Sequence, residues 1–160
     1  MKIDIEQIKQ ELEKNLSEKR YIHSIGVMER AEELAQIYGL DVEKAKIVGL
    51  AHDIAKELTK EEALKYAEEN NIELDEIEKV APYLLHAKIG AHLCKTKYGF
   101  TKEMQQAIEY HTTGAVNMSL LDKIIFVADK TESNRNFDDL DYIVKLSNEN
   151  IDDGVIYIID

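Results

Sequence analysis

An all-α fold is what this sequence predicts, and three observations predict it. Apolar residues recur at intervals of three and four along most of the chain, the spacing that collects them on one face of a helix. Breakers are few, with seven Gly and one Pro (Pro82) in 160 residues, and strand-like alternation is scarce. Thr59-Lys60-Glu61-Glu62 and Ser119-Leu120-Leu121-Asp122 are capping-box matches, each standing before a helical pattern. With 44% apolar residues, three Phe and no Trp, the core is expected to be aliphatic. No linker, repeat or low-complexity stretch divides the chain, so residues 1–160 read as a single domain, large enough to bury a core.

Taken in order, residues 3–16 carry Ile5, Ile8 and Leu12 at helical spacing, and Ser17 ends that helix and caps the next. Residues 18–38 form a longer helix with Val27, Ala31, Leu34 and Ala35 inward and Gly39 as its C-terminal stop. Asp41 caps a helix expected to carry His52 and Asp53. Thr59 opens an exposed helix that ends near Asn70 and Asn71. Residues 75–80 make another turn or so before Pro82, and residues 83–98 run to Gly99. Thr101 caps a helix reaching His111, and Ser119 one running through Asp129 to about Glu132. Weaker helices are expected at residues 138–147 and from Asp152 onward. The chain stops at Asp160 inside an apolar run (Val155, Ile156, Ile158, Ile159), which reads as a truncated C-terminus.

Charge and cysteine content narrow the function. A formal charge of −12 leaves no Lys/Arg stripe to neutralise a phosphate backbone, so a nucleic-acid polymer is not the expected partner. A small phosphorylated ligand needs only a local positive site, which a bound metal can supply. The lone Cys94 excludes an internal disulfide, fits a reducing cytoplasm, and has no neighbours that would activate a thiolate. No leader-like segment opens the chain and no apolar run approaches ~18 residues, so no membrane association is expected.

The chemistry centres on the run Gly49-Leu50-Ala51-His52-Asp53-Ile54-Ala55-Lys56. Ala45, Val48 and Leu50 mark it as buried, where an imidazole and a carboxylate are costly unless something binds them. His23, His52, His111 and Asp129 each have an apolar residue four positions away (Val27, Val48, Ala107 and Ile125), so each faces inward. Asp53 lies about 100° around the helix from His52, and His86 follows Leu84 and Leu85 near a helix start. Six metal-capable groups from five segments therefore point to a metal site. Asp129, near a helix C-terminus, opposes the macrodipole and wants compensation. His92 lies about 120° from His86 around their helix and reads as a surface or supporting residue. His-Glu-x-x-His, Glu-x-x-His, P-loop, Gly-x-Gly-x-x-Gly and Gly-x-Ser-x-Gly patterns are all absent.

The His52-Asp53 pair with its distant His23 and Asp129 resembles the HD-domain phosphohydrolases. Longer matches narrow this: Arg20-Tyr21-x-His23-Ser24-x-Gly26-Val27, the run around His52, Leu84-Leu85-His86, Tyr110-His111-Thr112-Thr113-Gly114, residues 118–125, and Ala128-Asp129 through Asn134-Arg135 resemble the YqeK family. The resemblance runs from about Arg20 to Ile159, with Ser133 standing where the family pattern has Pro. The family continues past this chain's end, so the adenine side of its nucleotide pocket is expected to be incomplete here.

That resemblance implies an HD-domain helical bundle with a buried metal site. It implies a symmetrical bis(5′-nucleosyl)-tetraphosphatase, cleaving diadenosine tetraphosphate to two ADP by attack of metal-activated water on phosphorus, and carrying one or two iron ions. Manganese or another divalent metal would also suit the donor set. His23, His52, Asp53 and Asp129 would hold one ion. Asp53 would bridge to a second held by His86 and His111; with one ion only, those two would contact phosphate oxygens. Asp53 and Lys56 are the catalytic candidates. Substrate is expected at His23, Asp53, Lys56, His86, His111, Thr112 and Arg135, with Lys56 and Arg135 gripping the polyphosphate. The partners implied are a dinucleoside polyphosphate and its ADP product, and a homodimer is compatible. The alternatives are an HD-type hydrolase of another nucleotide, a non-catalytic nucleotide sensor and an interaction scaffold.

Overall fold

A computed structural model describes residues 3–160 as ten α-helices joined by short turns. In order these are α1 (Ile5–Asn15), α2 (Glu18–Tyr38), α3 (Val42–Ala51), α4 (Lys60–Glu69), α5 (Glu76–Val80), α6 (Leu85–Tyr98), α7 (Lys102–Tyr110), α8 (Leu120–Thr131), α9 (Leu140–Glu149) and α10 (Ile151–Ile159). No strand occurs among the described residues, and none of the described helices is long and apolar enough to cross a membrane.

Local chemistry sets most boundaries. Ser17, Asp41, Thr59 and Ser119 each accept a backbone N–H from the first turn they precede, and at Thr59 and Ser119 the reciprocal capping box is complete. Each such cap is worth about 1 kcal/mol. Gly39 closes α2 in the left-handed conformation, with φ of 74°.

Several boundaries depart from the sequence expectation, among them the start of α6, at Leu85 rather than residue 83 because Pro82–Leu84 form a 3-10 turn. Helix α3 ends at Ala51, so His52 is its C-cap and Asp53 lies beyond it in a run of turns, rather than in the helix. Helix α9 starts at Leu140 rather than at residue 138, and α10 is capped by Asn150 rather than starting at Asp152. In the last case the Asn150 side chain accepts the N–H groups of Asp152 and Asp153.

Helix α8 is the centre of the packing. Leu121, Ile124, Ile125, Phe126, Val127 and Ala128 are buried along it, and it touches α2, α3, α7, α9 and α10. Helices α2 and α3 cross closely at Gly49, where a Cβ would lie 3.1 Å from the Val27 carbonyl oxygen and 3.2 Å from the Ala31 methyl. That approach draws the end of α3, and with it His52, against the middle of α2. The turn after Asp53 is pinned in turn by Glu57, whose carboxylate accepts the Ser17 N–H at 2.8 Å. The core is aliphatic, and Cys94 is fully buried in it; burial pushes its thiol pKa up, so it behaves as an apolar residue.

Candidate metal centre

Four histidines and two aspartates, from α2, the α3 C-terminus, α6, the end of α7 and α8, meet in one buried cluster. Asp53 sits in the middle. Its Oδ1 is 3.2 Å from His111 Nε2 and 3.7 Å from His86 Nε2. Its Oδ2 is 3.4 Å from His52 Nε2 and 3.8 Å from His23 Nε2. Asp129 Oδ1 completes the other side, 2.8 Å from His23 Nε2 and 3.4 Å from His52 Nε2. The donors thus divide into two groups, His23-His52-Asp53-Asp129 and Asp53-His86-His111, with Asp53 common to both.

The backbone orients three of the rings in one way. Nδ1 of His52 donates to the Gly49 carbonyl (2.7 Å), that of His86 to Tyr83 (2.8 Å), and that of His111 to Ile108 (2.6 Å). A carbonyl oxygen only accepts, so each Nδ1 carries the proton and each Nε2 turns its lone pair toward the aspartates. The acceptor is the carbonyl three residues earlier in every case, at a helix or turn end. His23 lies inside α2, away from either end. Its Nδ1 faces the buried carboxylate of Glu132 at 2.7 Å instead.

The electrostatics fit a cation. His52 is fully buried and its Nε2 has no hydrogen-bond partner, although two carboxylate oxygens lie 3.4 Å away. A buried ring nitrogen held between two carboxylates is stabilised by a metal ion. Burial opposes charge on Asp53, yet His52 and His111 outweigh it and hold the carboxyl well below the usual carboxylate range. Asp129 is depressed likewise, burial being overcome by the contact with His23, the adjoining His52 and the Lys130 charge. Burial pulls His86 down to about 4, against the Tyr83 carbonyl, so its imidazole is neutral and free to coordinate. For His52, burial opposes protonation but Asp53 and Asp129 prevail and raise its pKa. The donor set of imidazole nitrogen and carboxylate oxygen is that of a divalent transition metal.

The other expected residues are placed as follows. Lys56 is exposed and lines a cleft with His86. Arg135 folds onto Asp129, its Nε donating to the Asp129 carbonyl (2.9 Å) and its Nη2 to Oδ1 (3.3 Å). Thr112 follows His111 directly, but its buried hydroxyl makes no hydrogen bond and lines a separate cleft with Leu84, Lys88 and Glu109. His92 is outside the cluster, paired with the Tyr66 hydroxyl at 2.7 Å.

Three contacts were not anticipated from the sequence. Arg20 Nη2 donates to Asp53 Oδ2 at 2.6 Å. Lys130 Nζ reaches Asp129 Oδ2 at 2.7 Å and the His111 carbonyl at 3.2 Å, and with Arg135 it supplies the compensation that Asp129 required. Glu132 is the third. Arg20 stands three residues before His23 on α2 and so shares a helical face with it, a signal the inward-facing pattern alone did not use, whereas Glu132 is the extended cap that follows α8.

Comparison with known proteins agrees with this geometry. The HD domain family matches residues 20–134. The chain is 38% identical to the symmetrical bis(5′-nucleosyl)-tetraphosphatase of Bacillus subtilis, over 91% of this chain and 78% of that protein. It is 35% identical to the protein of the same name from Staphylococcus aureus, over 97% of this chain and 80% of that one. A crystal structure from Clostridium acetobutylicum, described as a predicted HD superfamily hydrolase involved in NAD metabolism, superposes with a TM-score of 0.92 at 41% identity, covering 96% of this chain and 82% of that one. On this match, which runs through every donor from His23 to Asp129, the chain belongs to the HD-domain superfamily and within it to the YqeK family.

Proposed function

We propose that this protein is a metal-dependent hydrolase that cleaves diadenosine tetraphosphate symmetrically, releasing two ADP. The observation that carries the reading is the shared carboxylate of Asp53, set between two donor groups in a chain this similar to symmetrical tetraphosphatases. His23, His52, Asp53 and Asp129 would hold one divalent ion, and Asp53, His86 and His111 a second. Iron is the metal proposed. Held there, such ions neutralise phosphate charge and lower the pKa of water toward neutrality.

The chain's own residues do the rest. The carbonyls of Gly49, Tyr83 and Ile108 keep three imidazoles in the coordinating tautomer. Arg20 and Lys130 hydrogen-bond the two aspartates and hold them in place. Arg135 uses Nε and Nη2 on Asp129, and its Nη1 makes no protein hydrogen bond among the described residues. It also lines a cleft of about 740 Å³ with Phe137, Tyr157 and Ile158, large enough for a nucleoside with its phosphates. We assign Arg135 to grip the phosphate chain between that cleft and the cluster, and Lys56 to meet it beside His86. Arg135→Ala should raise KM for diadenosine tetraphosphate about ten-fold or more, the scale of one charge-assisted bidentate contact. An unchanged KM removes Arg135 from binding.

Metal content of the purified protein, paired with chromatographic identification of products, tests the reading as a whole. The expected result is bound iron or another divalent metal and ADP alone from diadenosine tetraphosphate. ATP with AMP, or no turnover by metal-loaded protein, would overturn it.

A further inference from the structure

The proposed substrate carries two nucleosides, and the cleft at Arg135 and Tyr157 accounts for only one. A second cleft of about 270 Å³ opens at the other end of the cluster, formed by the turn from Lys56 to Lys60 and by Pro82, Tyr83 and His86. The two ends are distinguished by Asp53. Its Oδ2 faces His23, which lines a cleft with Arg20 and Arg135 that adjoins the larger one through Arg135, and its Oδ1 faces His86, which lines the second cleft. A phosphate chain lying across Asp53 would therefore reach a cavity at each end.

The composition of the second cleft fits an anion carrying a flat base. It is lined by Lys56 and Lys60 and by no carboxylate, whereas the clefts at Arg135, at Thr112 and beside Arg30 each include acidic residues. In a chain of net charge −12, an acid-free hollow selects strongly for a negative ligand. Tyr83 is 72% exposed and Leu58 37% exposed, so an aromatic ring and an aliphatic side chain are offered to solvent. The volume lies just under the ~300 Å³ at which small-molecule clefts begin, the scale of one nucleoside rather than a whole dinucleotide. The position of Tyr83 is fixed from the site itself, since its carbonyl holds His86 Nδ1 at 2.8 Å.

We propose that this cleft seats the second nucleoside of the dinucleoside polyphosphate, with Tyr83 stacking on the base and Lys56 and Lys60 meeting the phosphates that lead to it. The proposal rests on the hydrolase reading above. It also gives a reason for symmetrical cleavage, because a nucleoside anchored at each end centres the tetraphosphate over Asp53.

The test compares a two-nucleoside and a one-nucleoside ligand. KM for diadenosine tetraphosphate and the inhibition constant of adenosine 5′-tetraphosphate are measured on metal-loaded wild type, Tyr83→Ala and Tyr83→Phe. Loss of one stacked base should raise KM about ten-fold in Tyr83→Ala, with the inhibition constant of the one-nucleoside ligand unchanged. Tyr83→Phe, which keeps the ring, should recover most of that KM. Tyr83 is exposed, so none of these changes threatens the core. An unaltered KM in Tyr83→Ala, or an equal rise in KM and inhibition constant, overturns the cleft assignment while leaving the hydrolase reading in place. Wild-type protein that forms no ADP from diadenosine tetraphosphate overturns both.

Discussion

Asp53→Ala should leave a folded protein that neither retains metal nor hydrolyses substrate. Asp53 is the only side chain common to both donor groups, with its two oxygens within 3.8 Å of four imidazole nitrogens. Removing an outer partner of a metal ligand costs roughly 10–100-fold in affinity or activity. Removing a ligand shared by two ions should exceed that, so kcat is expected to fall by well over about 100-fold. Asp53→Asn keeps the shape and one acceptor for Arg20 but loses the charge that offsets a cation, and it should fail nearly as badly.

Thermal melting separates loss of metal from loss of fold. A ligand at about a hundred times its Kd adds about 2.7 kcal/mol of stability. For a chain of this length that is on the order of 5–10 °C in Tm. Chelation should therefore lower the Tm of the wild type by about that much and leave Asp53→Ala unmoved. A variant that kept wild-type activity, or whose Tm still answered to chelator, would remove Asp53 from the centre of the site.

Glu132→Ala should weaken metal binding by about 10–100-fold, and Gly26→Ala should reproduce much of that loss without removing a polar group. Glu132 is buried, with Oε2 2.7 Å from His23 Nδ1 and Oε1 accepting the Asn134 N–H at 2.6 Å and its amide at 3.0 Å. It gives His23 the orientation that backbone carbonyls give the other three rings. The carboxylate fits there because α2 presents Gly26, where a Cβ would overlap the Glu132 carboxylate and come within 3.0 Å of Asn134 Nδ2. An added methyl must push Glu132 away from His23.

Because both changes act through one contact, their effects should not add. In the double variant the loss should stay close to that of Glu132→Ala alone, the signature of coupled neighbours. Calorimetric titration of metal-free protein with a divalent ion reads this without reference to turnover. Additive losses, or a Gly26→Ala protein with normal affinity, would show that His23 is oriented by something other than Glu132.

How much of this the sequence disclosed can be followed residue by residue. Ser17, Thr59 and Ser119 announced their helices because a cap is a bond to a backbone group two or three residues away. Gly39 announced the end of α2 for the same local reason. The ligand candidates were legible because a metal-binding side chain on an apolar face is unusual within its own helix. What lay beyond reach were the contacts made across the fold. The Glu132–His23 pair spans 109 residues and Arg20–Asp53 spans 33, and no periodicity relates them. The identity of the six candidate donors is a property of the sequence. That one carboxylate lies between both groups, that Thr112 opens on a different cleft, and that separate clefts open beside Arg135 and beside His86 are decided by how α2, α6, α7 and α8 pack around the end of α3. Those are distances between segments, and only the tertiary structure sets them.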